Sequence, residues 1–323
     1  MYIITGGAGF IGSYLAQFLN SQGIDQIIIV DKLEESARWK NLVGLKFYDF
    51  IDKDRFLELI DQDKLSFKTS TAKVGVFHLG ANSSTTATNG DEVMLSNYEY
   101  SKRIAAWSLA KDYRFIYASS AATYGAGENG FLDDEKKLDS LRPTNLYGLS
   151  KHLFDLHAKQ NGWLKKIAGL KFFNVYGPRE SHKGRMASVA FHAYNQIKKE
   201  GLIKLFKSEK PEFADGEQKR DFVYVGDCAK VIWWLYENPQ VHGIFNCAFG
   251  KARSWNDMAK ALFAALDLPA KIEYIPMPDD LKGHYQYFTE GSIDKLRATG
   301  YRAPMTTLED GIAKYVGEYL EKQ

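Results

Sequence analysis

The sequence predicts an α/β fold, a doubly wound parallel sheet with a smaller α/β lobe beside it. Three observations predict it. The chain opens on an apolar run, Tyr2-Ile3-Ile4, then a glycine-rich turn, Thr5-Gly6-Gly7-Ala8-Gly9-Phe10-Ile11-Gly12, then Phe10–Gln22, where Ile11, Leu15, Phe18 and Leu19 recur at helical spacing. A second apolar strand, Gln26–Val30, follows and ends in Asp31, nineteen residues after Gly12. Beyond it, short apolar runs alternate with amphipathic stretches, the pattern of parallel strands joined by right-handed helical crossovers.

Taken in order, Leu45–Phe50 alternates like a third strand and Lys53–Asp63 reads as a helix. Val74–Leu79 is a fourth buried strand, running into a polar loop, Gly80–Gly90. In open α/β sheets such a loop faces the ligand crevice. Glu92–Asp112 reads as one long helix, Phe115–Ser119 as a strand, Asn145–Gln160 as a helix and Lys171–Val175 as the next strand. The alternation then breaks: helix Ala187–Lys199 and a charged loop, Lys207–Lys219, interrupt it. Phe222–Val225 and Gly243–Cys247 are expected to rejoin the main sheet, with helix Asp227–Glu237 between them. Ser254 caps a helix to Leu266 with Asp257 three residues on, and Thr307 and Asp310 repeat that relation at the last helix. The expected division is residues 1–173 plus about 220–250 for a dinucleotide-binding domain, and 174–219 plus about 251–323 for a substrate lobe.

Composition bounds the function. A hydrophobic fraction of 45% and a charged fraction of 25% are globular values. A net charge of +2 makes no case for a nucleic acid or membrane partner. Cys228 and Cys247 are the only cysteines and have neither metal nor redox spacing, so no metal is expected. The first strand begins almost at residue 1, so no signal peptide is expected, and no apolar run reaches membrane-spanning length. A reducing cytoplasm is the expected compartment.

Strand, glycine turn and helix together form the context of a dinucleotide fingerprint. Gly6, Gly9 and Gly12 permit a tight turn and close approach to a pyrophosphate, and the helix start offers free N–H groups to that anion. Asp31 stands where a ribose-binding carboxylate belongs. Further on, Tyr147 and Lys151 are spaced i and i+4, on one helix face, and Ser120 follows the fifth strand. A neighbouring ammonium would lower the tyrosine pKa toward a useful range, and a serine hydroxyl could hold a substrate oxygen during proton transfer. Alone, a Tyr-x-x-x-Lys pair is a common helix-surface pattern; joined to the glycine loop it reads as an acid–base site.

Here the sequence resembles the extended short-chain dehydrogenase/reductase family, on Gly6-x-x-Gly9-x-x-Gly12, Ser119-Ser120-Ala121, Tyr147-x-x-x-Lys151 and Arg220-Asp221-Phe222-Val223-Tyr224-Val225. Within it, Ala118–Gly125, Phe173–Glu180, His182-Lys183-Gly184, Met186–His192 and Leu281–Gln286 resemble the ADP-heptose 6-epimerase family, from Met1 to the last helix. The resemblance implies inversion of one carbinol, C6 of ADP-D-glycero-D-manno-heptose, by transient oxidation and re-reduction on a bound nicotinamide, for lipopolysaccharide core synthesis. It implies a second acid/base residue, Lys183, opposite Tyr147, its pKa depressed by nearby Arg179 and Arg185 and by burial. It implies cofactor contacts at Phe10, Ile11, Asp31, Lys32, Arg38, Lys53, Leu79, Gly80, Ala81, Asn82, Ser83, Asn97 and Val175, besides Tyr147 and Lys151. It implies substrate contacts at Ser120, Asn174, Val175, Arg185, His192, Phe206, Arg220 and Tyr285, with the planar fork of Arg220 suited to a diphosphate. A surface ion pair with Asp221 is the competing reading of Arg220, and a helix-face hydrogen bond that of His192; His78 and His157 read as structural. Asp31 suits the 2′-hydroxyl of NAD, while Lys32, Arg38 and Lys53 favour NADP, with NAD the alternative. The resembled family forms homopentamers, which implies a homo-oligomer.

The chain departs from that family in places. Arg38 replaces a lysine, Arg185 a serine, and Phe206-Lys207-Ser208-Glu209 stands for Phe-Glu-Gly-Ser ahead of a longer loop. Other nucleotide-sugar epimerases and dehydratases are the alternative activities, and a non-catalytic dinucleotide-binding regulator is the alternative of another class. The family's dehydratases carry an Asp-Glu pair where this chain has Ala122-Thr123, and a regulator has little need of Ser120, Tyr147, Lys151 and Lys183 together.

Overall fold

The structure, a computed structural model, describes residues 1–65, 67, 74–279, 282 and 285–322. Strand β1 (Tyr2–Thr5) runs into helix α1 (Phe10–Ser21), then β2 (Ile27–Asp31), β3 (Asp49–Asp52), α2 (Lys53–Asp61) and β4 (Gly75–His78). A short helix α3 (Gly90–Val93) passes through a π-turn at Met94–Glu99 into α4 (Tyr100–Ala110), and β5 (Arg114–Ser120), α5 (Leu146–Gln160) and β6 (Ala168–Phe172) complete the first half. The second half holds β7 (Asn174–Tyr176), α6 (Val189–Glu200), β8 (Ile203–Phe206), β9 (Lys219–Arg220), β10 (Phe222–Tyr224), α7 (Val225–Glu237) and β11 (Gly243–Cys247). It ends with β12 (Arg253–Ser254), α8 (Trp255–Ala265), β13 (Ile272–Ile275), α9 (Asp294–Ala298) and α10 (Leu308–Glu318).

Seven strands form one parallel sheet in the order β11-β6-β5-β4-β1-β2-β3. Both of its faces are covered, as a parallel sheet requires. Alternation along each strand divides the core: Ile3 and Phe115 pack with Phe56, Ile104 and Phe154 on one face, while Ile4 and Ile116 pack with Leu15 of α1 and Val231 of α7 on the other. A third core gathers Tyr194, Tyr224, Leu262 and Ile312 from α6, α8, α10 and the chain around β10. Ser254 closes a reciprocal capping box with Asp257, and the Thr307 hydroxyl accepts from the Asp310 amide.

Four expectations are corrected. The third strand is Asp49–Asp52, not Leu45–Phe50. Asn20, near the end of α1, holds Lys46 by two 2.8 Å bonds, so the chain is still turning there and the ladder starts later. The helix expected over Glu92–Asp112 is interrupted by the π-turn, which buries Asn97. Finally, Phe222–Tyr224 does not rejoin the main sheet. It pairs with β7 in a separate two-stranded parallel ribbon. The strand expected over Lys171–Val175 is itself split, because β6 already has β5 and β11 on its two edges. At Phe173 the amide donates to Cys247 O, and the next amide, of Asn174, donates to Asp221 O, so the chain leaves one ladder and enters another.

Candidate active site

The C-terminal ends of β1, β2, β4, β5 and β6 open on a cavity of about 580 Å³. At its β1 end the backbone turns at Gly6, where φ is 68° and a Cβ would stand 2.7 Å from the backbone of Gly80. Gly9 caps α1 without a side chain, leaving the first amides of the helix open to an anion. Gly6, Gly9, Phe10, Ile11, Gly12 and the Leu79–Ser83 loop line the cavity. Asn97 does not. It is fully buried, accepting from the Asn82 amide at 2.7 Å and donating to Asn82 O and Ser150 Oγ at 2.9 Å each. It therefore fixes the loop from behind.

Asp31 ends β2 with both carboxylate oxygens engaged. Oδ2 accepts from the Ala8 amide at 2.8 Å; Oδ1 accepts from the Lys32 amide at 2.8 Å and lies 3.5 Å from the Arg38 guanidinium. Around it, Lys32, Arg38 and Lys53 line the same wall of the cavity. The Lys32 ammonium lies 3.7 Å from Asp54, and that of Lys53 sits over the Tyr100 ring.

Ser120, Tyr147 and Lys151 meet at the centre. Asn145 caps α5, and one turn separates Tyr147 from Lys151. The Ser120 hydroxyl hydrogen-bonds Tyr147. Burial pushes the phenol above its ordinary value and that bond pulls it back, so burial, and not the Lys151 ammonium, is the main influence on Tyr147. Lys151 is itself brought down to about 8 by burial, with Asp155 opposing the shift. One turn beyond, Asp155 is fully buried and anchors the helix: it accepts from Tyr117 and Ser119 at 2.8 Å and from Lys171 at 2.7 Å, while Lys171 also donates to Thr123 at 2.6 Å.

Lys183 also lines the cavity, from a 3₁₀ turn spanning Ser181–Met186. Its ammonium lies 5.7 Å from the Phe10 ring centroid. Burial lowers its pKa and Glu180 opposes that. The expected contribution of Arg179 and Arg185 is not the cause. Arg179 turns away to Gln17 and Asn41, and Arg185 is exposed. Gly184 sits at φ 52°, ψ −125°, a conformation side-chain-bearing residues rarely adopt, and it bends the chain directly after Lys183. His182, unassigned from sequence, lines the cavity too.

The other expected substrate residues divide. Val175 lines the cavity, and β7 carries the chain outward from it beside β10. Arg220, only 8% exposed, lies between the rings of Trp255 and Tyr285, 5.5 and 5.4 Å from their centroids, with Phe206 edge-on to Tyr285. Among the described residues no carboxylate pairs with Arg220. Asp221 instead accepts from the amides of Phe249, Gly250 and Gly291, and burial lifts it to about 6. Asn174, Arg185 and His192 are exposed. Trp255 was not foreseen; its only sequence signal is an aromatic residue directly after the Ser254 cap. Leu281, Gly283 and His284 of the Leu281–Gln286 motif lie outside the described residues.

Residues 2–248 match the NAD dependent epimerase/dehydratase family. The chain is 50% identical over 320 residues to an ADP-L-glycero-D-manno-heptose-6-epimerase of Nitratidesulfovibrio vulgaris, covering 99% of this chain and 98% of that one. It is 47% identical to the protein of the same name from Fusobacterium nucleatum, covering 100% and 99%. The crystal structure of Helicobacter pylori ADP-L-glycero-D-manno-heptose-6-epimerase superposes with a TM-score of 0.79 at 30% identity, over 98% of this chain and 95% of that one. A glycine turn at a helix start, a serine–tyrosine–lysine cluster beside it and a match running from the first strand to β11 agree: the chain belongs to the NAD dependent epimerase/dehydratase family.

Proposed function

We propose that this protein is an ADP-L-glycero-D-manno-heptose 6-epimerase, inverting C6 of the heptose by oxidation and re-reduction with a bound nicotinamide cofactor, in the cytoplasm, for lipopolysaccharide core synthesis. The observation that carries the reading is that Tyr147 and Lys183, from separate segments of the chain, line one cavity with the glycine turn. The residues fit a nicotinamide dinucleotide: the uncapped start of α1 suits a pyrophosphate, and the wall at Asp31 suits an adenosine ribose. Bound there, the cofactor would supply a reversible hydride acceptor.

The chain's own groups do the proton work. Tyr147 takes or gives the proton of the C6 oxygen in one orientation, with Ser120 holding that oxygen and drawing the phenol pKa down, and Lys151 holding the nicotinamide ribose. Inversion requires the ketone to turn over before it is reduced, so its oxygen then meets the other wall, where Lys183 serves. Burial lowers the Lys183 pKa below the ordinary lysine range, which eases loss of its proton. Arg220, stacked between Trp255 and Tyr285 and lacking a carboxylate partner among the described residues, would take the substrate diphosphate. Asn174, Arg185, His192, Phe206 and Tyr285 complete the substrate contacts in this reading.

We assign NADP as the cofactor. Both oxygens of Asp31 are already held by amides and by Arg38, which blunts its preference for a ribose hydroxyl, while Lys32, Arg38 and Lys53 offer cations for a 2′-phosphate. The cofactor is held by residues 1–173 with α7 and β11, the sugar by the rest, and the β7–β10 ribbon joins the two. Exposed Trp39, Val43 and Tyr48 support a homo-oligomer, to be measured by light scattering. Incubation with ADP-D-glycero-D-manno-heptose and NMR of the product tests the activity. The L-glycero epimer is expected, and an unchanged or dehydrated sugar overturns the reading.

A further inference from the structure

We propose that Asn41 is a positioning residue for Lys183, acting through the Arg179 carbonyl that it shares with His182. The inference rests on the two-base reading above and concerns how the second base is held in place.

Asn41 is buried near the end of a 3₁₀ turn, Ala37–Leu42, that also carries Arg38 into the cavity wall. Its carboxamide nitrogen stands 3.0 Å from Ala8 O in the glycine turn, 3.1 Å from Arg179 O and 3.0 Å from His182 Nδ1. Its backbone carbonyl accepts from the Arg179 guanidinium. A single side chain therefore ties the cofactor turn to a segment more than a hundred residues away. Arg179 adopts the left-handed region, φ 78°, and Asn41 grips it at both its carbonyl and its guanidinium.

The other anchor of this turn is different in kind. Glu180 accepts from the Gly177 amide and from both the amide and hydroxyl of Ser188, and its carbonyl accepts from the Lys183 amide. Those bonds all lie within residues 177–188, so they close the loop on itself without fixing it against the cofactor domain. Asn41 supplies that cross-link. Burial, with Arg38 and Lys183 nearby, holds His182 to about 4, so its imidazole is neutral near pH 7. Its Nδ1 lies 3.1 Å from Arg179 O, which can only accept, so the neutral ring carries its proton on Nδ1 and donates to the same carbonyl that Asn41 holds. Lys183 follows His182 directly, and Gly184 then offers a hinge. Without the Asn41 contact the turn can rotate about Gly184, and Lys183 gains water and loses its approach to the sugar oxygen. Misplacement of a catalytic group by about 1 Å can cost up to about a hundredfold in rate.

The test is Asn41→Leu in the full-length protein with its cofactor, made alone and on Lys183→Met. Alone, it should lower kcat at least about tenfold with KM for ADP-heptose changed less than about twofold. The limb of the pH–rate profile owed to Lys183 should move up toward ordinary lysine as the ammonium is resolvated. On Lys183→Met it should cost nothing further, because both changes disable one group. An equal loss in both backgrounds, or an unmoved limb beside the lowered kcat, overturns the proposal. If Asn41→Leu does not fold, His182→Leu decides: it removes the second donor to the Arg179 carbonyl from a half-buried site and should reproduce the kcat loss and the pH shift, and wild-type behaviour there overturns the proposal. Lys183→Met alone tests the two-base reading; normal epimerisation by it removes both ideas, whereas a dead Lys183→Met with a fully active Asn41→Leu removes only this one.

Discussion

The two walls of the cavity hold their acid/base groups by different means. Tyr147 stands on the first turn of a fifteen-residue helix, capped by Asn145 and pinned two turns on by the buried Asp155–Lys171 pair. Lys183 stands on one irregular turn with a glycine hinge after it, tied to the cofactor side by Asn41 and by the Arg179 bond to Gln17. The helical group is placed by regular geometry, and the loop group by individual contacts. One wall should therefore resist perturbation at a distance and the other should not.

Deleting the groups themselves should give the largest effects. Tyr147→Phe and Lys183→Met should each cost on the order of a hundredfold or more in epimerisation, as for loss of a general acid or base, with cofactor content and fold unchanged. A 6-aldehydo analogue, oxidised and reduced by dismutation, should also be turned over poorly by each variant. Near-normal epimerisation by Lys183→Met would leave Lys183 as a loop cation and put both orientations on Tyr147.

Next in size is the foundation of the helical wall. Asp155→Asn leaves Lys171 charged and fully buried without its carboxylate, which should cost about 3–5 kcal/mol of stability. Denaturant unfolding measures it. A loss below about 1 kcal/mol, the range of exposed ion pairs, would show that the helical wall needs no such anchor, and the contrast between the walls would fail.

A smaller effect is expected at the cofactor side of the loop wall. Arg38→Ala should weaken NADP about tenfold, roughly 1.4 kcal/mol, while NAD changes little. Titration by intrinsic fluorescence separates the two. Equal loss for both cofactors would refute the 2′-phosphate role and leave Arg38 as a partner of Asp31 alone.

The same contrast explains what could be read from sequence. Tyr147 and Lys151 were legible because an i, i+4 spacing has one meaning on a helix, and the Ser254 and Thr307 caps because a capping side chain sits at a fixed offset. Gly6 and Asp31 were legible through a βαβ unit whose parts follow one another in the chain. The β7–β10 ribbon was not, because period-two alternation marks a strand without saying which sheet has a free edge for it. Nor were Asn41 and Trp255. Asn41 lies in an irregular turn and Trp255 in a helix's first turn, and each acts on residues from distant segments, so no local spacing announces them. Lys183 came only through a motif resemblance. Its residue type and surroundings read equally well as a solvated loop.

The last contrast separates the walls by pH. His182, held to about 4 on the loop wall, has a folded pKa below its ordinary 6.5. Between those values the unfolded chain binds a proton that the folded chain refuses, so this group's contribution is present above pH 6.5 and is lost as the pH falls through about 4. Lys151, held to about 8 on the helical wall, is likewise a depressed cation, and its contribution is present above 10.5 and lost as the pH falls through about 8. Stability measured by denaturant at successive pH values should show both slopes in the wild-type protein. His182→Asn should flatten only the acidic window and Lys151→Met only the alkaline one. If either variant changes the slope in the other's window, the walls share a titrating network and are not held independently. If His182→Asn leaves the acidic slope unchanged, His182 is not kept neutral by burial, and the neutral ring that shares the Arg179 carbonyl with Asn41 loses its support.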